Sequence, residues 1–173
     1  MRLKNLRKLS LWYNELQLLT KVKVGSKFVE RGDVYQVYKV DEKKVYYRPF
    51  FAKTKNNSYT CSIPRENLGM INIRKPIIRN QLNEILRSFS KKSSNKADLD
   101  VIEAKSVLDM NQIEKSSSVV RKFWRAKERD GDGFTRAKNE VLKLAISRIV
   151  EEVALVSKST PEKAEERIRL ALS

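Results

Sequence analysis

The stretch SYTCSIPRENLGMINIRKPI, residues 58–77, determines how the first half of the chain is interpreted. Cys61 and Ile63 alternate with polar neighbours, which is the period of a half-buried strand. Pro64 ends this strand, because a proline has no backbone N–H to donate to a central sheet ladder. A polar turn at residues 65–67 and a second short apolar run follow. The pattern predicts a strand, a turn and a second strand, with Pro64 at the corner.

Several more short strands are predicted on the N-terminal side of this stretch. The sequence from residue 22 onward is rich in Val, Tyr and Ile, and turn residues interrupt it at short intervals. The apolar segments between the turns are KFVE, VYQVYKV, KVYYRPFF and YTCSI, at residues 27–30, 34–40, 44–51 and 59–63. Four or five short strands linked by tight turns favour a small, strongly bent sheet or barrel.

Helical periodicity is found on both sides of the predicted sheet. Residues 4–19 carry leucines and Trp12 at the spacing of an amphipathic helix. A second apolar stripe predicts a helix whose inward residues are Ile78, Leu82, Ile85, Leu86 and Phe89. The serine-rich segment at residues 90–96 is typical of a linker, and helices are predicted everywhere beyond it.

Capping residues delimit the helices of the C-terminal half. One helix is predicted over residues 111–129, ended by a glycine-rich turn. Thr135 is a predicted N-cap of a helix to about residue 156, and Thr160 is a predicted N-cap followed by a proline at the first helical position. The inward face of the longer helix is predicted to comprise Val141, Ala145, Ile149, Val153 and Val156.

The charge of the chain points to a polyanionic partner. Its 37 basic and 21 acidic residues give a net charge of +16. Residues 21–90 hold fifteen basic and six acidic residues, whereas residues 91–173 hold eighteen and fourteen. Such a bias favours nucleic acid as a partner, with an anionic membrane second. For the nearly balanced C-terminal half, simple solubility explains the charge equally well.

The chain has one cysteine and no histidine. Disulfide frameworks, cysteine-rich zinc sites and histidine-based triads are therefore excluded within one chain. No stretch approaches the roughly twenty apolar residues of a membrane span, and the apolar run near the N-terminus is too interrupted for a signal peptide. We therefore expect a cytoplasmic, monomeric protein that is not an enzyme and that has no cofactor, metal or membrane partner.

Two separate parts of the sequence resemble one family. A strand ending in Ile63 and Pro64, a Glu-Asn turn, a glycine, Ile73-Arg74 and a helix together resemble the CarD/CdnL family of bacterial regulators that bind RNA polymerase. The Val-Lys-Val-Gly at residues 22–25 is similar to the family's opening Phe-Lys-Val-Gly-Asp. Independently, VVRKFWRAKERDG at residues 119–131 is similar to the family's Val-Val-Arg-Asp-Leu-Trp-Arg-Arg helix. The resemblance covers roughly residues 21–173.

The resemblance implies an α+β protein with two functional modules. The expected order is an N-terminal helical extension at 1–20, an SH3/Tudor-like bent β-sheet or barrel with a closing helix at 21–90, a linker at 91–98 and an all-α domain at 99–173. It also implies binding to the RNA polymerase β subunit and to promoter DNA, and a nucleoid-associated location. The first twenty residues have no counterpart in the usual family pattern.

The polymerase contact is expected at the strand that ends in Pro64. In the family the small β domain adds to a sheet in a lobe of the polymerase β subunit, and an edge strand is a template for such pairing. The family's contact positions map onto Lys43, Ser62, Ile63, Pro64 and Arg65. Ser62 is a departure, because many relatives have arginine there. The alternative is that Ile63 and Pro64 merely turn a corner of the barrel.

The expected DNA contact departs from the family pattern. Relatives insert a tryptophan into the minor groove, but the corresponding position lies near Ala97, where the sequence has neither a tryptophan nor a basic cluster. DNA contact is therefore expected to be largely sequence-independent. Its predicted carriers are exposed residues of the helix at 111–129, namely Arg121, Lys122, Arg125 and Arg129, whereas Val120, Phe123 and Trp124 are predicted to be core. A solvated helix face is the alternative interpretation of these basic residues.

Three further interpretations stay open at the level of sequence. The first is a basic RNA-binding or ribosome-associated protein without polymerase contact. The second is a metal-dependent nuclease using Asp98, Asp100 and Glu103, although these residues also suit a helix N-terminus. The third concerns Glu128-x-Asp130-x-Asp132-Gly133, which is a near miss to a calcium loop and is better explained as a helix-ending turn. Cys61 is predicted to be a small buried residue.

Overall fold

The computed structural model describes residues 22–51, 59–90 and 100–173, and it is α+β. By contacts the chain divides into two compact units, one ending at Lys75 and one comprising Pro76–Ser173 with the turn residues Arg31–Asp33. The helix after Pro76 therefore groups with the helical unit, whereas the sequence placed it with the β module. The predicted N-terminal helix and most of the predicted linker lie outside the described residues.

The first unit is a curled antiparallel half-barrel. Its strands are β1 (Lys27–Glu30), β2 (Asp33–Val40), β3 (Lys44–Pro49), β4 (Cys61–Pro64) and β5 (Ile73–Arg74), in the order β4-β3-β2-β1-β5. The predicted small, strongly bent sheet is thus confirmed. The turn between β1 and β2 has positive φ at Arg31 (49°) and Gly32 (87°), as a two-residue type I′ hairpin requires.

The core of the half-barrel combines small apolar residues with three aromatic rings. Its buried members are Phe28, Val37, Val45, Ile63, Leu68 and Ile73. The Phe28 ring lies 5.5 Å from that of Tyr35 and 5.0 Å from that of Tyr47, measured between centroids. Burial raises the pKa of Tyr47 to about 12, so this phenol is neutral at physiological pH. Cys61, predicted to be buried, is half-buried, because it lies at the start of the short strand β4.

The second unit is built from helices. They are α1 (Arg79–Phe89), α2 (Val101–Leu108), α3 (Ile113–Asp130), α4 (Arg136–Ser157) and α5 (Pro161–Leu172). Both predicted caps are confirmed: the Thr135 hydroxyl accepts a hydrogen bond from Lys138 N at 3.3 Å, and the Thr160 hydroxyl accepts one from Lys163 N at 3.4 Å. No helix of this part of the chain is long and apolar enough to cross a membrane.

The inward faces of the helices largely follow the predicted spacing. The buried residues of α1 are Leu82, Ile85 and Phe89, and those of α4 include Val141, Ala145, Ile149 and Val153. Leu86 and Val156, predicted to be inward, are half-buried. Ile78 is 63% exposed, contrary to prediction, because it is the N-cap residue and lies just outside the helical spiral.

A buried carboxylate holds the beginning of the helical unit. Glu152 lies in α4 and is fully buried, and its Oε1 accepts a hydrogen bond from the backbone N–H of Ile77 at 2.6 Å. Ile77 precedes α1, so its backbone N–H makes no hydrogen bond within the helix. Because this N–H is buried, it needs another acceptor, which the Glu152 side chain supplies. The carboxylate therefore fixes where the chain enters the unit.

Removing this carboxylate should destabilise the protein. In Glu152→Ala the Ile77 N–H loses its acceptor in a buried site, so we expect the free energy of unfolding to fall by about 2–3 kcal/mol. Glu140→Ala is the matched control: it removes an exposed Glu from the same helix, paired with Lys143 at 3.4 Å, and should change stability by less than about 0.5 kcal/mol. Urea unfolding of both variants measures the difference. Equal stability of the two variants would contradict this role of Glu152.

Candidate partner-binding strand edge and basic helix

Strand β4 lies at one end of the strand order. Its hydrogen-bonded neighbour is β3, with Val45 opposite Ile63 and Tyr46 opposite Ser62. Among the described residues no strand pairs with its other side. The predicted edge position of this strand is therefore seen in the structure.

The phase of hydrogen bonding along β4 follows from one bond. Arg65 N donates to Lys43 O at 2.9 Å, which makes these two residues a hydrogen-bonded pair. Hydrogen-bonded pairs alternate with non-hydrogen-bonded pairs in an antiparallel ladder, so the backbone N–H and C=O of Ile63 also point toward β3. Ser62 and Pro64 then direct their backbone groups outward. The open edge presents one N–H donor, from Ser62, and two carbonyl acceptors, from Ser62 and Pro64.

The phase explains why a proline is tolerated within β4. Pro64 is opposite Lys44 in a non-hydrogen-bonded pair, so its missing N–H removes no bond between the strands. It does shorten the outward-facing row of donors, because an incoming strand finds no N–H beyond that of Ser62. Pro64 therefore limits both the length and the register of any added strand.

The five residues predicted for polymerase contact come together, but they differ in exposure. Lys43, Ser62 and Arg65 are exposed, Pro64 is half-buried, and the Ile63 side chain belongs to the half-barrel core. The structure thus places three of the five side chains where a partner can reach them.

The turn between β2 and β3 is held rigid beside this edge. The Asp41 carboxylate accepts hydrogen bonds from Lys44 N at 2.7 Å and from Lys43 N at 3.0 Å, and Arg65 Nη1 donates to Asp41 O at 3.4 Å. The bond from the Lys44 backbone is the main reason why the pKa of Asp41 lies below its ordinary value. The turn also lines a shallow depression together with Tyr46. Lys43 is therefore displayed from a fixed backbone.

A second set of polar and aromatic residues lies on the outer face of the same sheet. The register of β2 against β3 shifts between Val37 and Lys39, which marks a β-bulge. The bulge brings Tyr38 and Lys39 in succession to the outer face, opposite the outward residues Tyr46 and Arg48 of β3. We call these four residues the outer tyrosine face. Sequence reasoning missed it, because the bulge interrupts the strict alternation of VYQVYKV.

The basic residues predicted on α3 have different surroundings. Arg121 Nη1 donates to Ser88 O at 3.1 Å, and Arg125 Nη2 donates to Phe89 O at 3.2 Å. These carbonyls lie in the last turn of α1, whose carbonyls lack the regular hydrogen bonds of the helix interior, and Ser88 O also accepts a hydrogen bond from the N–H of the C-cap residue Ser90. The prediction that these arginines are exposed was wrong: both are half-buried, because they close the end of a neighbouring helix.

The remaining two residues of the predicted DNA surface are more available. Lys122 is half-buried, and Arg129 is exposed and donates to Asp130 Oδ1 at 2.8 Å. That bond is the largest reason why the pKa of Asp130 is lowered. The structure therefore separates the four residues into two helix-closing arginines and two cations that a phosphate can reach.

The aromatic residues of α3 are only partly core. Val120 and Phe123 are buried as predicted. Trp124 was predicted to be core but is half-buried, and its Nε1 donates to Glu128 Oε1 at 3.0 Å. The indole N–H needs a polar partner, which explains why this ring stays at the surface.

The acidic motifs have structural roles in the described residues. Asp100 is the N-cap of α2, since its carboxylate accepts a hydrogen bond from Ile102 N at 2.9 Å. Asp130 is paired with Arg129 and Lys138, and a short 3₁₀ turn at Gly131–Gly133 follows α3. In the part of the chain that the structure describes, no three acidic or cysteine side chains are grouped as a metal site would need. Asp98 lies outside that part.

Comparison with known proteins gives no match, either to protein-family models or to curated protein sequences.

The helix-closing arginines generate a stability prediction. Arg125→Ala removes the donor to Phe89 O and the ion pair with Glu128, so the free energy of unfolding should fall by about 1–2 kcal/mol. Lys127→Ala changes the same charge on an exposed position of the same helix and should have an effect below about 0.5 kcal/mol. Thermal or urea unfolding of the two variants measures this. A stability of Arg125→Ala equal to that of the control would mean that the bond to α1 contributes nothing.

Proposed function

We propose that this protein is a transcription regulator that docks on the RNA polymerase β subunit through β4 and contacts promoter DNA through its helical unit. Holding polymerase and DNA together modulates the stability of the open complex, and no chemical reaction is performed. The observation that carries the proposal is the open edge of β4, with the Ser62 backbone directed away from the sheet. The resemblance to the CarD/CdnL family supplies the identity of the partner.

The edge has the properties of a pairing surface for another strand. It offers one backbone donor and two backbone acceptors, and open strand edges bind extended segments by adding a strand to the sheet. Lys43 and Arg65 flank it with positive charge. A partner strand with acidic residues near its end would therefore fit this edge best.

The DNA contact is the second half of the proposal. Of the four predicted residues, Lys122 and Arg129 are the proposed phosphate contacts, because Arg121 and Arg125 already donate to carbonyls of α1. A phosphate offers Arg129 more acceptor oxygens and more charge than the carboxylate of Asp130. Arg121 and Arg125 each retain further N–H donors beyond the carbonyls they bind. Binding through these groups reads the DNA backbone and depends little on base sequence.

One alternative function has an observation in its favour. A basic RNA-binding or ribosome-associated protein would use the outer tyrosine face and the positive charge of the β module, without any polymerase contact. A pull-down of the full chain with the isolated β-subunit lobe of the cognate polymerase separates the two functions. Failure to bind the lobe, together with tight RNA binding, would favour the alternative.

The edge mode of docking is tested at Ser62. Ser62→Pro removes the outward N–H but no bond to β3, because Ser62 is opposite Tyr46 in a non-hydrogen-bonded pair. We expect affinity for the isolated lobe to fall about tenfold, the loss of roughly one backbone hydrogen bond. The measurement is a titration of the labelled lobe with the full-length variant.

Ser62→Ala is the matched control for this experiment. It removes the side chain and keeps the backbone N–H, so its affinity for the lobe should equal that of the unchanged protein. Circular dichroism of both variants checks that the sheet is intact. Equal binding by Ser62→Pro and Ser62→Ala would show that the lobe is not bound by strand addition at β4.

The DNA contact is tested by salt dependence. Each phosphate contact adds about 0.9 to the slope of log K against log salt on duplex DNA, so replacing Lys122 and Arg129 by alanine should flatten the slope by up to about two units. The matched control replaces Lys143 and Lys163, two exposed lysines of other helices, by alanine. This variant loses the same net charge, but its slope should stay close to that of the unchanged protein. An equal decrease in both double variants would contradict a DNA surface on α3.

A further inference from the structure

The outer tyrosine face combines two aromatic rings with two cations in direct contact. The ring centroids of Tyr38 and Tyr46 are 6.3 Å apart. The Arg48 guanidinium lies 5.6 Å from the centroid of the Tyr38 ring, and the Lys39 ammonium lies 4.9 Å from that of the Tyr46 ring. Both rings are half-buried, whereas both cations are exposed.

These residues are not needed for the core of the half-barrel. The core is formed by the opposite face, where Tyr35, Val37 and Tyr47 are directed inward. Tyr38 and Tyr46 are not members of that core cluster. In a regular strand only one of two successive side chains points outward. The bulge in β2 directs both Tyr38 and Lys39 to the outer face.

The Tyr46 ring has a small neighbour on one side and a fixed position. Across the strands its neighbour on β4 is Ser62, which is small and exposed. The Tyr46 hydroxyl is hydrogen-bonded to the Asp41 carboxylate, and this bond is the largest cause of its raised pKa. The same carboxylate is held by two backbone N–H groups, so Asp41 fixes the position of the phenol.

We propose that the outer tyrosine face binds a single-stranded polynucleotide, whose bases stack on Tyr38 and Tyr46 and whose phosphates pair with Lys39 and Arg48. Aromatic rings beside flexible cations on a basic sheet are the elements with which proteins hold unpaired strands without reading their sequence. Residues 22–75 contain twelve Lys and Arg against five Asp and Glu, so the module attracts a polyanion.

The cations already over the rings do not prevent this binding. A cation–π contact at an exposed site is weaker than the stacking of a base on an aromatic ring, so a base can displace the ammonium or guanidinium group. The displaced group stays within reach of the phosphate that joins the stacked nucleotides. In the free protein the cations cover the ring faces, which reduces their exposure to water.

Stacking and pairing with phosphate do not distinguish ribose from deoxyribose. We therefore expect oligothymidylate and oligouridylate to bind with similar affinity. Duplex DNA should not depend on the two rings, because its bases are stacked on each other and are not available to a tyrosine. This inference does not rest on polymerase binding, which uses the edge of β4.

The experiment measures binding of the full chain to fluorescent oligothymidylate and oligouridylate of about twelve nucleotides, and to a duplex of the same length. Tyr38→Leu and Tyr46→Leu should each weaken binding of both single strands by at least about fivefold. Tyr38→Phe and Tyr46→Phe keep the stacking surface and should bind within about twofold of the unchanged protein. Duplex binding should be the same in all four variants.

Two results would overturn the proposal. One is unchanged single-strand binding in the variant that carries both leucine substitutions. The other is an equal loss in the phenylalanine and leucine variants, which would assign the effect to the hydroxyl groups. The circular dichroism spectrum of each variant, which should be unchanged, checks that the variant is folded.

A second arm tests the phosphate contacts. Lys39→Ala with Arg48→Ala should flatten the salt dependence of single-strand binding by up to about 1.4 units, since each contact contributes roughly 0.7 on single strands. The leucine variants should keep the original slope while losing affinity. The assigned roles would be contradicted if the leucine variants changed the salt dependence and the Lys39→Ala, Arg48→Ala variant did not.

Discussion

The alternation of hydrogen bonding between β3 and β4 is the constraint on which the surfaces proposed for the half-barrel depend. The bond from Arg65 N to Lys43 O sets its phase. A shift by one residue would place Pro64 where an N–H is required and would turn the Ile63 side chain out of the core. Either change is unfavourable. The register is therefore fixed both by the missing N–H of Pro64 and by the burial of the Ile63 side chain. The outward direction of the Ser62 backbone follows from that register.

The elements of the fold could be predicted wherever a local rule applies. The strands follow from period-two patterns and turn residues, and Thr135 and Thr160 follow from the need to satisfy the first N–H groups of a helix. The second apolar run after the turn is β5, which pairs with β1 across a large separation in sequence. Its partner was not predictable, because pairing over such a distance is decided by the curl of the whole sheet.

The candidate sites were predictable only in part, because the side chains there act across elements. Helical periodicity shows which face of α3 is polar, but it does not show that the carbonyls of Ser88 and Phe89 will accept hydrogen bonds from Arg121 and Arg125. The glutamate at position 152 gives no sign in sequence that Ile77 N will be its partner. The bulge at Tyr38 is a similar case, since it depends on the neighbouring strand.

Net charge alone therefore overestimates the surface available to a polyanion. Of the four basic residues predicted on α3, two satisfy carbonyl groups of α1, and one is paired with a carboxylate. In the half-barrel the opposite holds: Lys39 and Arg48 contact ring faces, and these contacts are weak enough to exchange for phosphate. The β module thus has more charge available for exchange, although α3 looks equally basic in sequence.

The two surfaces proposed for the half-barrel are geometrically compatible. Strand addition at β4 uses hydrogen bonds that lie in the plane of the sheet, whereas stacking on Tyr38 and Tyr46 takes place perpendicular to that plane. Ser62 lies where the two surfaces meet, since its backbone is directed to the open edge and it is the cross-strand neighbour of Tyr46. An added strand would extend the outer tyrosine face without covering it. Docking on a protein partner and holding an unpaired strand would then occur side by side on one small sheet.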